Sequence, residues 1–126
     1  MVTLKLKFTL MCYHLSSKSS KSILEARFAA KLTEETELKT YHHVSGFAHP
    51  ALPIIRSENT TRIERCTWGL IPFWFAGREQ AAQIMNNTLN AKAETLYEKP
   101  SFKHSVPKNR CIILVDGFYE WKDVNK

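Results

Sequence analysis

A cysteine follows an internal methionine at Met11-Cys12, and that pair carries the most distinctive chemistry in the chain. Translation from Met11 and removal of that methionine would leave a free α-amine and a thiol on one residue. Such a residue traps an aldehyde as a five-membered thiazolidine, because the amine forms a Schiff base and the thiol closes onto it. Reference pKa values near 8 for an α-amine and near 8.5 for a thiol leave roughly a tenth of the amine neutral at pH 7. With residues 1–10 attached the Cys12 nitrogen is an amide, and that ring cannot form. The alternative for Cys12 is an ordinary cysteine buried in a strand, which is the usual fate of the residue.

Glu120 is the second candidate. Gly117-Phe118-Tyr119-Glu120-Trp121 sets one carboxylate among aromatic rings at the end of an apolar run. Burial there is expected to raise its pKa towards neutrality and suit it to proton exchange; a carboxylate bonded to backbone groups is the equal alternative. Asn90 and Lys92 lie in Asn90-Ala91-Lys92, where an isolated Asn more commonly caps a helix or turn. Phe73 and Trp74 end the run Trp68-Gly69-Leu70-Ile71-Pro72-Phe73-Trp74. Pro72 would hold them in an exposed turn, where flat rings stack on nucleic-acid bases; an aromatic cluster at a strand end is otherwise core.

These residues need elements to position them. The spacing of Ile23, Ala26, Phe28, Ala29, Ala30 and Leu32 predicts a helix from Ser22, after a Ser-rich loop over 16–21. Tyr41–Val44, Leu52–Ile55 and Ile63–Leu70 read as strands, with Pro72 ending the last. Arg78–Leu89 reads as a helix with Ala81, Ala82, Ile84 and Met85 as its apolar positions. Arg110–Trp121 reads as a strand whose run Cys111-Ile112-Ile113-Leu114-Val115 is buried on both faces. Such a strand needs neighbours on both sides, and only Lys122–Lys126 follow it.

The 126 residues suit one domain, and an apolar share of 44% excludes general disorder. No continuous apolar run is long enough to mark a membrane helix. The net charge of +6 suits a polyanionic partner. Cys12, Cys66 and Cys111 are odd in number and form no C-x-x-C pair. They therefore suggest neither a disulfide framework nor a zinc site, and they fit a reducing cytoplasm. Residues 1–10 lack the apolar core and cleavage site of a signal peptide. They read as an extra N-terminal extension or a start taken ten residues early. His42, His43 and His49 have poor spacing for a metal, and neither a metal nor any other cofactor is expected.

Behind Met11-Cys12, in order, come Trp68–Trp74, Asn90-Ala91-Lys92-Ala93-Glu94-Thr95, Glu98-Lys99-Pro100-Ser101-Phe102 and Asp116-Gly117-Phe118-Tyr119-Glu120-Trp121. This series resembles the SOS-response-associated peptidase (SRAP) family from Met11 to about Lys122. The resemblance implies an α+β fold, with a curved, barrel-like antiparallel sheet and a few flanking helices. It also implies that residues 11–126 are the N-terminal portion of a single domain, incomplete at its C-terminal end. The catalytic histidine of the family then has no counterpart in this chain.

The resemblance further implies a sensor of abasic sites in single-stranded DNA, forming a covalent thiazolidine crosslink through Cys12 in the SOS response. Glu120 would serve that chemistry, and Asn90 would position the abasic sugar. Lys92 stands where the family has arginine, keeping the charge but losing the planar fork that grips phosphate. Phe73 and Trp74 would wedge against the DNA. Independently of the resemblance, Lys99, Lys103, Lys108 and Arg110 suit DNA-backbone contacts, with a solvated charged face as the simpler alternative. Tyr13 and His14 replace the usual glycine and arginine after the cysteine. Peptidase activity would be self-processing that exposes Cys12. Two other readings stay open: a non-catalytic single-stranded-DNA-binding fragment, and an unstable, inactive remnant.

Overall fold

Leu52 and Ile63, the largest fully buried side chains, sit on the two antiparallel strands of one hairpin. The computed structural model describes residues 12–33, 37–77 and 79–120. The elements are β1 (His14–Ser17), α1 (Lys21–Phe28), β2 (Lys31–Leu32), β3 (Tyr41–Ser45), a 3-10 turn (Gly46–Ala48), β4 (Ala51–Arg56), β5 (Asn59–Thr67), α2 (Ala81–Asn87), β6 (Cys111–Ile113) and β7 (Gly117–Tyr119). They form a three-stranded sheet in the order β3-β1-β7 and a four-stranded sheet in the order β2-β5-β4-β6.

This is a mixed arrangement of helices and sheets, as expected, and no closed barrel is formed among the described residues. Among the described residues the two sheets stay open, and β2 pairs with β5 in parallel. The parallel pairing follows from the early end of α1. Ala29 takes the left-handed conformation (φ 49°), which stops the expected helix and frees Lys31 and Leu32 to enter the sheet. Glu25 secures the turn by accepting bonds from the Leu32 N–H (2.9 Å) and the Lys31 ammonium (3.1 Å). Only Leu24 of α1 is buried; Ile23 and Ala26 of the predicted stripe are exposed.

Two apolar clusters carry the packing. Leu24, Ala30, Leu32, Ile55, Ile63 and Leu114 join α1 to the four-stranded sheet. Leu15, Val44 and Leu52, with Tyr41 and Trp68 against them, join the two sheets. β5 starts earlier than predicted, at Asn59, and ends at Thr67. There the Trp68 N–H turns back to the Pro50 carbonyl at 2.9 Å. Gly69 follows with φ 125°, and a Cβ there would meet the Met85 Cβ at 2.9 Å. Glycine is therefore required on both backbone and steric grounds. The helix predicted over 78–89 is shorter, at 81–87, and has no fully buried residue.

The predicted strand over 110–121 is also corrected. It breaks at Leu114–Asp116 into β6 and β7, which enter different sheets. Cys111, Ile112 and Ile113 are exposed, not buried on both faces, because no described element covers them; Leu114 alone is buried.

Candidate active site

Cys12 and Glu120 meet because β1 and β7 pair antiparallel, with His14 opposite Tyr119 and Leu15 opposite Phe118. The Cys12 thiol donates to Glu120 Oε2 at 2.5 Å across 108 residues of sequence. Both residues are half-buried. The Glu120 hydrogen bond, then burial, then the Glu120 charge hold the Cys12 thiol above its ordinary pKa. The sulfur thus keeps its proton at neutral pH while pointing that proton at a base. Phe118 and Tyr119 are exposed, so the expected aromatic enclosure of Glu120 is not formed by these two rings. Trp121, the other ring in that expectation, lies outside the described residues.

The register of β7 is set by a residue that sequence reasoning left without a role. Asp116 accepts hydrogen bonds from the Lys18 N–H, the Ser19 N–H (3.0 Å) and the Ser19 hydroxyl (2.7 Å). Its own N–H donates to the Ser16 carbonyl at 2.9 Å. The backbone bond from Lys18 and the side-chain bond from Ser19 hold its carboxyl below the ordinary value. This clamp lies at the start of β7 and fixes where Glu120 arrives four residues later. The Asp-Gly pair before an alternating run was the available signal for it. At the other edge of β1, the Tyr119 hydroxyl donates to the His42 carbonyl at 2.9 Å. His14 stacks on His43 (centroids 4.8 Å, 12°), and Tyr119 meets His43 edge-on at 5.1 Å.

A chain of contacts runs from Tyr13 through Gly46 and Trp68 to Leu89, the residue before Asn90. The Gly46 N–H donates to the Tyr13 carbonyl at 2.8 Å, and the Trp68 ring lies 3.2 Å from where a Gly46 Cβ would be. The Trp68 indole N–H in turn donates to the Leu89 carbonyl at 2.9 Å. Thr88 adds a second anchor, its hydroxyl donating to the Leu70 carbonyl at 2.7 Å and accepting from the Leu70 N–H at 2.9 Å. Among the described residues Asn90 Nδ2 and His14 Nδ1 are buried without a hydrogen-bond partner, whereas most buried polar atoms have one.

Phe73 and Trp74 are 78% and 51% exposed, on a turn closed by the Phe75 N–H donating to the Pro72 carbonyl at 2.9 Å. Trp68 is half-buried with its N–H engaged, a structural position. Phe73 meets His104 edge-on at 5.4 Å, which brings the turn beside a segment carrying Lys99, Lys103 and Lys108. Those lysines, Lys92 and Arg110 are exposed. His49 Nδ1 bonds to the Trp68 carbonyl at 2.9 Å. Among the described residues no group of three or more His, Cys, Asp or Glu is placed to hold a metal. No helix among them is long and apolar enough to cross a membrane.

The sequence profile described as SOS response associated peptidase (SRAP) matches residues 11–126. The chain belongs to the SRAP family. It is similar to the abasic site processing protein YoqW of Bacillus subtilis, 45% identical over 71 residues, or 56% of this chain and 30% of that protein. It is also similar to the abasic site processing protein HMCES of Mus musculus, 45% identical over 56 residues, or 44% and 16% of the two chains. A solved protein from Bacteroides thetaiotaomicron superposes with a TM-score of 0.79 at 36% identity, over 89% of this chain and 49% of that one. One from Bordetella bronchiseptica superposes at 0.64 and 26% identity, over 86% and 50%. The chain thus spans about half the length of these two solved proteins, and its match covers 30% of YoqW.

Proposed function

We propose that this SRAP chain captures abasic sites in single-stranded DNA by forming a thiazolidine on Cys12. The carrying observation is the thiol-to-carboxylate hydrogen bond between Cys12 and Glu120 at 2.5 Å. The chemistry requires Cys12 to be N-terminal, either by initiation at Met11 and removal of that methionine or by self-processing of the peptidase type. The neutral α-amine adds to the aldehyde of the ring-opened deoxyribose, and loss of water gives a Schiff base. The thiol then adds to the imine carbon. The new C–S bond forms as the thiol proton passes to Glu120, and the imine nitrogen takes up a proton to complete the ring. Asn90, with its unpartnered Nδ2, holds the sugar. Lys92 meets a phosphate, and Phe73 and Trp74 stack on bases. The setting is DNA damage in a reducing cytoplasm, where the three cysteines stay free.

Support comes from the family, from relatives named for abasic site processing, and from the pairing that joins Cys12 to Glu120. The test is intact-mass measurement of protein beginning at Cys12, mixed with an abasic oligonucleotide. The expected product has the summed mass less one water and survives denaturation. Absence of that adduct would overturn the reading. The exposure of Phe73 and Trp74 favours a second reading, non-covalent single-stranded-DNA binding without catalysis. Undiminished affinity for intact strands, with no adduct, would select it.

A further inference from the structure

His14 is paired with Ser45 on one side and with Tyr119 on the other. The Gly46–Ala48 turn and Glu120, which follow those two partners, therefore flank the start of β1 from opposite edges. The Gly46 N–H donates to the Tyr13 carbonyl at 2.8 Å, which fastens the turn to the residue next to Cys12. Beyond it the Tyr13 and Phe47 rings meet, with centroids 5.2 Å apart and planes tilted by 37°. Tyr13 is half-buried and Phe47 is 54% exposed. Tyr13 thus backs the pair, and Phe47 presents its ring to solvent.

The turn that carries Phe47 is tied down along its length. The Phe47 N–H donates to the Ser45 hydroxyl at 3.3 Å, and the His49 N–H closes on the Gly46 carbonyl at 2.9 Å. His49 Nδ1 bonds to the Trp68 carbonyl at 2.9 Å. A ring mounted on such a turn loses little freedom when a flat molecule stacks on it, and every nucleobase has a flat face. Single exposed apolar side chains are ordinary; two rings in contact beside the candidate nucleophile are not.

We propose that the Tyr13–Phe47 pair is a stacking site for the nucleobase adjoining the abasic residue, and that it favours lesions with an intact base on that side. The proposal rests on the abasic-site reading for the identity of its ligand. With the sugar at Cys12, the adjoining base lies on the outer face of Phe47, and a purine holds better than a pyrimidine because its stacking is stronger. Phe47 positions the strand and takes no part in bond making. Tyr13 stands where the SRAP resemblance implies glycine, so the pair is a feature of this chain's own residues.

The test uses protein beginning at Cys12 and single strands in which 2-aminopurine adjoins a tetrahydrofuran residue, an abasic analogue without an aldehyde. The fluorescent base is placed on the 5′ side in one strand and on the 3′ side in another. Binding is expected to quench at least one of them. Phe47→Tyr, which keeps a flat ring, retains the quenching; Phe47→Leu, which keeps only apolar bulk, loses it. Phe47→Leu also binds the quenched strand about tenfold more weakly than the native protein does. The two bind equally once the adjoining base is replaced by a second tetrahydrofuran. Quenching of neither strand, quenching that survives Phe47→Leu, or an equal loss of affinity with and without the adjoining base overturns the proposal. Because no aldehyde is present, a missing covalent adduct with quenching intact overturns the thiazolidine reading alone.

Discussion

The Trp68 indole N–H donates to the Leu89 carbonyl, and that bond sets the backbone immediately before Asn90. Trp68→Phe keeps an aromatic ring under Gly46 but removes the donor. A half-buried carbonyl left without its partner is expected to cost about 1–3 kcal/mol. Chemical denaturation should show that loss, with a fall in crosslinking of abasic strands larger than the unfolded fraction accounts for. Crosslinking that falls only in proportion to unfolding would mean the bond supports the fold and not Asn90.

Asp116 gives an acid-side prediction. Its carboxyl is held below the ordinary value of 3.8 by the bonds from Lys18 and Ser19. A lowered folded pKa contributes stability that is present above the unfolded value and is lost as pH falls through the folded one. Asp116→Asn should therefore be less stable than the native protein at pH 6, with the gap narrowing below about pH 4. Since Asp116 also aligns β7, the substitution should slow crosslinking under conditions where the protein remains folded. A gap that stays constant from pH 6 to pH 2 contradicts the clamp.

The Cys12 thiol titrates in the opposite sense. Its raised pKa stabilises the fold below the ordinary value of 9.0, and that contribution is lost as pH rises through the folded value. Glu120→Gln removes the carboxylate charge and weakens the acceptor, so thiolate absorbance should appear at lower pH. Crosslinking should slow by roughly 10²–10⁴, the usual scale for a general base. Cys12→Ala should abolish a stable crosslink, and Cys12→Ser should leave a Schiff base that borohydride traps. A stable crosslink from Cys12→Ala would exclude the thiazolidine.

Lys92 and Trp74 should separate by their salt dependence. Lys92→Ala is expected to weaken binding to intact single strands and to flatten the salt slope by about one phosphate contact. Trp74→Ala should cost about 1–3 kcal/mol with little change in slope. Native-like binding by both variants would place the DNA on another face.

The residues proposed to react stood out in the sequence by type, but the parts that bring them together did not. Met11-Cys12 and Glu120 stood out by residue type, and Pro72 pointed to the turn that exposes Phe73 and Trp74. The β4–β5 strands were readable from β-branched and apolar runs. The end of α1 was not, because Ala29 adopts a left-handed conformation that its residue type does not announce. The split of 110–121 was also hidden. Five apolar residues in a row predict burial, yet β6 and β7 diverge because Asp116 is drawn to Lys18 and Ser19, a partnership about 97 residues away in sequence. The role of Trp68 was invisible for a similar reason, since its indole pairs with a carbonyl that any residue at position 89 would supply.

The separation of Cys12 from Glu120 has a consequence in time. The two are 108 residues apart, and ribosomes add roughly 5–20 residues per second. A nascent chain that has lost its leading methionine thus carries an amino-thiol for on the order of 5–20 seconds before its carboxylate is made. With Cys12 N-terminal, aldehyde capture by the nascent chain should run in that interval at the rate of a free amino-thiol, and the proposed acceleration by Glu120 should begin only once β7 has paired with β1.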